Sequence, residues 1–318
     1  MLLLKLFTLF LCLLCSLAST TSPLSNVQYV TPRISQDSTS IVIFLMYNND
    51  KYTLQFFPNQ ELYTANYQET VNHDFKVVLD SPPLSHCHYH VSLGDLPNHP
   101  EVHGTISTCI GNNVDDNVDV LPIGLISFSG DIVSLELISN LPQSILTDHQ
   151  RRLTEHTHAL IKLSDINMPQ SIFIPFQFNM TEKTVIKKRK LDGNTKWVEM
   201  LVVNDRRRFD AKGDQTQVET AAIVNAINNL YHNANFDPPI RVVLSAQHTF
   251  TAVEDPWEQK LNSNTAADVN ILINEFHEWR SGSVQSKSLP DHDTGHLFSS
   301  RDFDGSTPFF NAGRRYRQ

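Results

Sequence analysis

A chain of 318 residues, 40% hydrophobic and 19% charged, is long enough for two buried cores and too apolar for wholesale disorder. Its net charge of -9 excludes the basic footprint that non-specific nucleic-acid binding requires, although basic residues do cluster locally.

Residues 1–18 carry one lysine and then a run of Leu, Phe and Cys, with Ser19-Thr20-Thr21-Ser22 directly after. That is the layout of a secretory signal peptide. The apolar run is short for a spanning helix, so cleavage is preferred over a signal anchor, and no later segment is apolar enough to cross a membrane. The chain is expected to be secreted or lumenal. Cys12 and Cys15 leave with the signal, and Cys87 and Cys109 remain. In an oxidising compartment they read as one disulfide, with two buried free thiols as the alternative. Closing a loop of about twenty residues contributes roughly 3 kcal/mol by the chain-entropy model. The sequon Asn179-Met180-Thr181 suits the same compartment.

Residues 26–138 are expected to form a β-rich domain. Ile41 to Met46 is an apolar run, Asn48-Asn49-Asp50-Lys51 is a turn, and Tyr52 to Phe57 alternates, which together predict a hairpin. Phe75–Leu79, Gly124–Phe128 and Ile132–Ile138 are further strand candidates. Short strands separated by Pro, Asn and Gly suggest a small sandwich or barrel.

Residues 139–195 read as a linker, with Pro142, Pro169 and Pro175, many polar residues, and the basic run Lys187-Lys188-Arg189-Lys190. An exposed multibasic run between two domains is a candidate for proprotein-convertase cleavage; a merely solvated charge cluster is the alternative. Arg151-Arg152 and Arg206-Arg207-Arg208 are weaker candidates, the latter expected in a loop after a strand.

Residues 196–307 alternate strand and helix. Trp197–Val203 and Ile240–Leu244 are buried strands, and a short strand is expected around His296–Phe298. Val218–His232 sets Ile223, Ile227 and Leu230 on one face at helical spacing. Thr265-Ala266-Ala267-Asp268 resembles a capping box opening a helix whose Val269, Leu272, Ile273, Phe276 and Trp279 face inward. The fold class is therefore α+β overall, a β-rich domain followed by an α/β domain.

From Lys196 to Thr307 the segments KWVEMLVVND, the amphipathic helix, the second strand, the helix ending NEFHEWR and DHDTGHLFSSRDFDGST keep a fixed order and spacing. In that order they resemble the front of the catalytic domain of reprolysin-type, ADAM-like zinc metalloproteases. Cys87-His88-Tyr89-His90, with Val102 to Gly111, is similar to the paired-cysteine segment of the family's propeptide. Glu155-His156-Thr157-His158 is similar to a later propeptide element. The resemblance implies a propeptide-like domain, a metzincin-like catalytic domain, zinc as cofactor, and hydrolysis of protein or peptide substrates.

Three departures qualify that expectation. No cysteine follows Cys109, so a latency cysteine and the catalytic-domain disulfides have no counterpart. Residues 308–318 form a divergent tail where the family continues into a substrate-pairing edge strand. No H-E-x-x-H occurs anywhere, although zinc hydrolysis needs three protein ligands, an open position for water and a neighbouring carboxylate. The α/β domain is thus expected to be incomplete, truncated before the zinc-binding helix, with zinc ligands absent and no catalytic residue.

Other metal candidates are weaker. His292-Asp293-Thr294-Gly295-His296 has i,i+4 spacing, but contains a glycine and falls where loop and strand are expected. His86, His88 and His90 alternate as strand residues do, yet Cys87 is expected in a disulfide and no carboxylate is adjacent. By resemblance, Glu199 and Asp293 match ligands of a structural calcium. Calcium takes six to eight oxygens, so these two carboxylates make at most a partial site, and capped or salt-bridged carboxylates are the alternative.

Two functions follow as expectations. The first is a secreted ADAM-like zinc metalloendopeptidase precursor that is catalytically incomplete in this chain. The second is a non-catalytic binding or inhibitory module acting on a related protease. A region from Lys196 onward that lacks covering elements would expose its amphipathic helices and is expected to be poorly soluble alone.

Overall fold

The structure, a computed structural model, describes residues 27–30, 33–36, 40–71, 76–77, 87–91, 102–109, 122–128, 131–137, 158–162, 195–234, 236–251, 255–258, 260–261, 269–285, 289–300, 302–303 and 307–308. The signal segment, the Asn179 sequon, the basic run Lys187–Lys190 and the capping box at Thr265 lie outside these residues.

The predicted hairpin forms from β3 (Ile41–Tyr47) and β4 (Asp50–Pro58). Asn48 and Asn49, at φ 51° and 70°, make the two-residue connection. Positive φ at both central residues is the type I′ condition, which asparagine tolerates better than most residues. Alternation then sorts the side chains: Ile41, Ile43, Leu45 and Tyr47 are buried opposite Phe56, Leu54, Tyr52 and Asp50, while Phe44 and Met46 face out.

These strands belong to a nine-stranded sheet with β1 (Val27–Val30), β2 (Arg33–Gln36), β7 (His88–Val91), β8 (His103–Ser107), β9 (Ile123–Phe128), β10 (Asp131–Leu137) and β11 (His158–Lys162). Its order is β1-β11-β10-β9-β8-β7-β4-β3-β2, antiparallel throughout. β8 and β9 approach closely at Gly124, where a Cβ would lie 2.0 Å from the Thr105 carbonyl oxygen. One face of the sheet carries a core of Ile43, Leu54, Phe56, Ile126, Val133, Leu135 and Leu160. On the other face Leu125, Ile132, Ala159 and Ile161 meet the rest of the molecule. β11 falls within the segment expected to be a linker. Its Ala-Leu-Ile run is too short to show a period, and pairing with β1 and β10 decides its structure.

A second sheet, in the order β14-β12-β13-β5-β6, is built from β12 (Lys196–Asn204), β13 (Ile240–Thr249), β14 (Thr294–Phe298), β5 (Tyr63–Val71) and β6 (Lys76–Val77). β12, β13, β14 and β5 run parallel, and β6 is antiparallel to β5. β5 comes from the amino-terminal region yet pairs with β13, in the register Ala246↔Gln68, Gln247↔Glu69, His248↔Thr70 and Thr249↔Val71. Leu244 N also donates to Leu62 O at 2.8 Å. A further two-residue pair joins β15 (Asp302–Phe303) and β16 (Thr307–Pro308).

Three helices complete the architecture. Residues Arg206–Lys212 form α1 rather than the expected loop, because Asp205 caps it: its Oδ1 accepts from Arg208 N at 2.8 Å. After a 3-10 turn at Gly213–Gln215 comes α2 (Thr216–His232), which packs on β13 and, from the other side, on β7, β8 and β9. Lying between two sheets, it is buried nearly all round, including polar Thr220, Asn225 and Asn228. α3 (Val269–Gln285) covers the opposite face of the second sheet. Strand alternation divides β12 accordingly: Met200 and Val202 join the core around α2, Leu201 and Val203 the core around α3. The whole is a strand-rich α+β fold, and among the described residues no helix is long and apolar enough to cross a membrane.

Candidate functional site

The carboxyl ends of parallel strands are where α/β sheets usually place function, and here they hold a buried polar network. Asn204, the last residue of β12, accepts at Oδ1 from Arg208 Nε (3.1 Å) and Thr220 Oγ1 (2.9 Å), and its Nδ2 donates to Thr249 Oγ1 at 3.3 Å. Arg208 is fully buried, donates from Nη2 to Glu219 Oε2 at 3.4 Å, and lies 5.4 Å over the Phe298 ring. Lys212 Nζ donates to Glu219 Oε1 at 2.9 Å. The network ties β12, α1, α2, β13 and β14 into one block. Nothing in the sequence pattern singled out Asn204 or Glu219. The signal that existed was Asp205 as a helix cap, which turns Arg208 inward.

At the amino ends of β12 and β14 the structure brings Glu199 and Asp293 together. Asp293 N donates to Glu199 O at 2.8 Å, and Glu199 N donates to Asp293 Oδ2 at 2.9 Å. One carboxylate oxygen of Asp293 is thus already committed to the backbone. Glu199 is half-buried and Asp293 exposed.

His292 and His296 are not brought onto one face. The Nε2 of His292 accepts from Arg280 Nε at 2.8 Å, and its Nδ1 faces the Pro290 carbonyl at 2.8 Å, so both ring nitrogens are engaged. His296 is buried within β14, with Nε2 3.2 Å from Thr294 Oγ1. Gly295 between them makes room for Arg280, whose Cδ would lie 2.7 Å from an added Cβ. Among the described residues the one group of three close metal-type donors is Cys87, His88 and Cys109, within 4.8 Å of one another. Cys87 and Cys109 form a disulfide with Cα atoms 5.5 Å apart, so neither offers a thiolate. His86 lies outside the described residues. His88 is buried, which pushes its imidazole down to about 4. Among the described residues, neither His292 with His296 nor the Cys87–His88–Cys109 group presents three zinc ligands.

A cleft of about 460 Å³ opens between the nine-stranded sheet and the α2–β13 layer, lined among others by Glu61, His90, Asn229, His232 and Arg241. Its floor is a relay across the joint: Asn59 Nδ2 donates to Asn225 Oδ1 at 2.7 Å, and Asn225 Nδ2 donates to Tyr89 O at 3.1 Å. Burial lowers the pKa of both His90 and His232; Arg241 lowers each further, while Glu61 raises them. Above about pH 6.5 the imidazoles are neutral and the cleft carries one cation and one carboxylate. Protonation in acid adds charge beside Arg241, so this edge of the joint weakens as pH falls below 6.5.

A model of the reprolysin (M12B) family zinc metalloproteases matches residues 196–312. The snake venom metalloproteinase-disintegrin-like mocarhagin of Naja mossambica is 24% identical over 82% of this chain and 39% of its own length. The zinc metalloproteinase-disintegrin-like atragin of Naja atra is 24% identical over 88% of this chain and 42% of its own. Mouse disintegrin and metalloproteinase domain-containing protein 12 is 25% identical over 70% of this chain and 22% of its own. The chain thus spans about two fifths or less of the length of these curated relatives, and the alignments take in the amino-terminal sheet as well as the α/β layer. Residues 196–312 thus match the reprolysin (M12B) zinc metalloprotease family, and the chain is similar over most of its length to ADAM-like, metalloproteinase-disintegrin relatives.

Proposed function

We propose that this chain is a secreted ADAM-like zinc metalloendopeptidase precursor, and that these 318 residues are by themselves catalytically incomplete. In this reading residues 1–18 are a signal peptide, 26–138 a propeptide-like domain, 139–195 a linker cut at Lys187–Lys190, 196–307 a partial protease domain, and 308–318 a divergent tail. Asn179 carries a glycan, and Glu199 with Asp293 forms part of a calcium site. The observation that carries the proposal is the parallel β12–β13–β14 layer with its α2 crossover, within the residues that the family model matches. In the family zinc supplies an activated water. Here His292 is spent on Arg280 and Pro290, and no H-E-x-x-H is present. The purified 318-residue protein is expected to hold far less than one zinc per chain by elemental analysis and to leave a peptide library uncut. Stoichiometric zinc with chelator-sensitive turnover would overturn the incompleteness.

β5 favours a second reading, a binding or inhibitory module acting on a related protease. A strand from the amino-terminal region adds to the edge of a βαβ layer, and the nine-stranded sheet clasps α2 from behind. If that clasp operates between chains, micromolar protein slows peptide cleavage by an active reprolysin-type protease. An unchanged rate counts against it.

A further inference from the structure

Besides the Asn59–Asn225 relay, the joint between the nine-stranded sheet and α2 holds a buried carboxylate. On β10, Ile132, Ser134 and Glu136 share the face turned toward the second layer, opposite Val133 and Leu135. Ile123 and Leu137 close this edge of the joint against Val218 and Ala222 of α2. Within it Glu136 is 5% exposed, and Ser134 Oγ donates to its Oε1 at 2.6 Å. Across the joint stands a second carboxylate, Glu219 on α2, held by Lys212 Nζ at 2.9 Å and Arg208 Nη2 at 3.4 Å.

The remaining neighbours do little to offset this pairing. Directly opposite Glu136 on β11 is Ala159. His158, at one end of β11, is turned to the Pro122 carbonyl (2.9 Å), and Lys162, at the other, pairs with Asp131 at 2.7 Å. β9 carries no charged residue, and Asp214 lies in the turn before α2.

We propose that Glu136 is a proton-operated latch on this joint: protonated, its carboxyl fits the closed joint, and ionisation beside Glu219 loosens it. Ionised, the group would be a desolvated charge facing a like charge, with a single hydroxyl to hold it. Burial, the largest cause, raises Glu136 to about 7, and Glu219 adds to the rise, while the Ser134 hydrogen bond and Lys212 act against it. In the open joint the carboxyl returns toward its ordinary value of 4.5. A folded pKa raised above the open-state value means that the closing contribution is complete below about pH 4.5, shrinks as pH rises toward 7, and is level above that. The opening equilibrium is therefore expected to rise about 70-fold between pH 5 and pH 8 from this one group. The latch is a property of the joint and stands whether or not the chain is a protease precursor. If it is one, this carboxyl contributes a firmer hold on the amino-terminal sheet in acid, opposed there by His88, His90 and His232.

The test compares the intact 318-residue protein with Glu136→Gln. Hydrogen exchange of α2 peptides, read by mass spectrometry between pH 5 and 8 and corrected for intrinsic exchange, gives each protein's opening constant. His88, His90 and His232 act in the opposite direction in acid but are common to both proteins, so they cancel in the ratio. The wild-type to variant ratio is expected to climb about 70-fold and then level off; a ratio flat across this range overturns the latch. Should Glu136→Gln fail to fold, Glu219→Gln serves instead. Removing the like charge lowers the pH at which wild-type loss of protection levels off, and an unmoved levelling point overturns the proposal.

Discussion

An Arg208→Ala protein is expected to lose about 3–5 kcal/mol of stability, because it breaks a buried ion pair by deleting one partner. For a molecule of this size that lowers the Tm by roughly 10 °C. The magnitude follows from what is left behind rather than from the hydrogen bonds lost. Arg208 is fully buried, and without it Asn204 Oδ1 keeps only Thr220, while Glu219 keeps only Lys212. A cavity also opens under Phe298, whose ring the guanidinium now covers at 5.4 Å. Arg208→Lys is expected to recover less than half of the loss, since an ammonium reproduces neither the two-armed geometry nor the stacking. Thermal and urea melts of the three proteins check this. A Tm for the alanine variant within about 2 °C of wild type would show that the network is not a stability element.

The second large effect is expected at Trp257, on the opposite face of the second sheet. Its indole is fully buried among Phe250, Phe276 and Trp279, with ring centroids 5.6, 6.0 and 6.1 Å away. Trp257→Ala empties the middle of that cluster and is expected to cost about 3–5 kcal/mol. Trp257→Phe should retain most of the stability: it keeps a ring in the cluster and removes an indole N–H that has no hydrogen-bond partner. The chain has three tryptophans, so intrinsic fluorescence reports the change together with the melt. If the phenylalanine variant loses as much as the alanine one, cluster packing is not what holds α3 in place.

Where strands pair locally, the sequence was readable. Ile41 to Phe57 alternates because its partner is two residues away, and the paired asparagines mark the turn. α2 was legible from its apolar spacing, although its second buried face is not. Asn225 and Asn228 look like solvent positions until Tyr89 O and Val242 N are placed beside them. β5 was missed because Tyr-Thr-Ala-Asn-Tyr-Gln-Glu-Thr-Val reads as a polar surface stretch. Its buried Glu69 and Thr70 are satisfied by Tyr67 and by His248, the latter 178 residues away. α1 was misread as a loop because three arginines in a row suggest solvent, and only the Asp205 cap and the Asn204–Glu219 environment take Arg208 inside. The nearness of Glu199 and Asp293 followed from the family resemblance; the Asp293 hydrogen bond to the Glu199 backbone is visible only once β12 and β14 are seen to be parallel neighbours.

β5 has a consequence for how the molecule is made. A ribosome releases residues 63–71 long before residues 240–249, and a parallel pairing across that gap bears a large loop-closure cost. The β13-facing edge of the segment must therefore stay unpaired through most of synthesis, with Tyr67 and Leu62 uncovered, until β13 emerges. Assembly of the amino-terminal layer is in this sense finished by the carboxyl-terminal one. A chaperone that shields hydrophobic strands is expected to engage nascent chains arrested before residue 240 and to release them once residue 249 has cleared the exit tunnel.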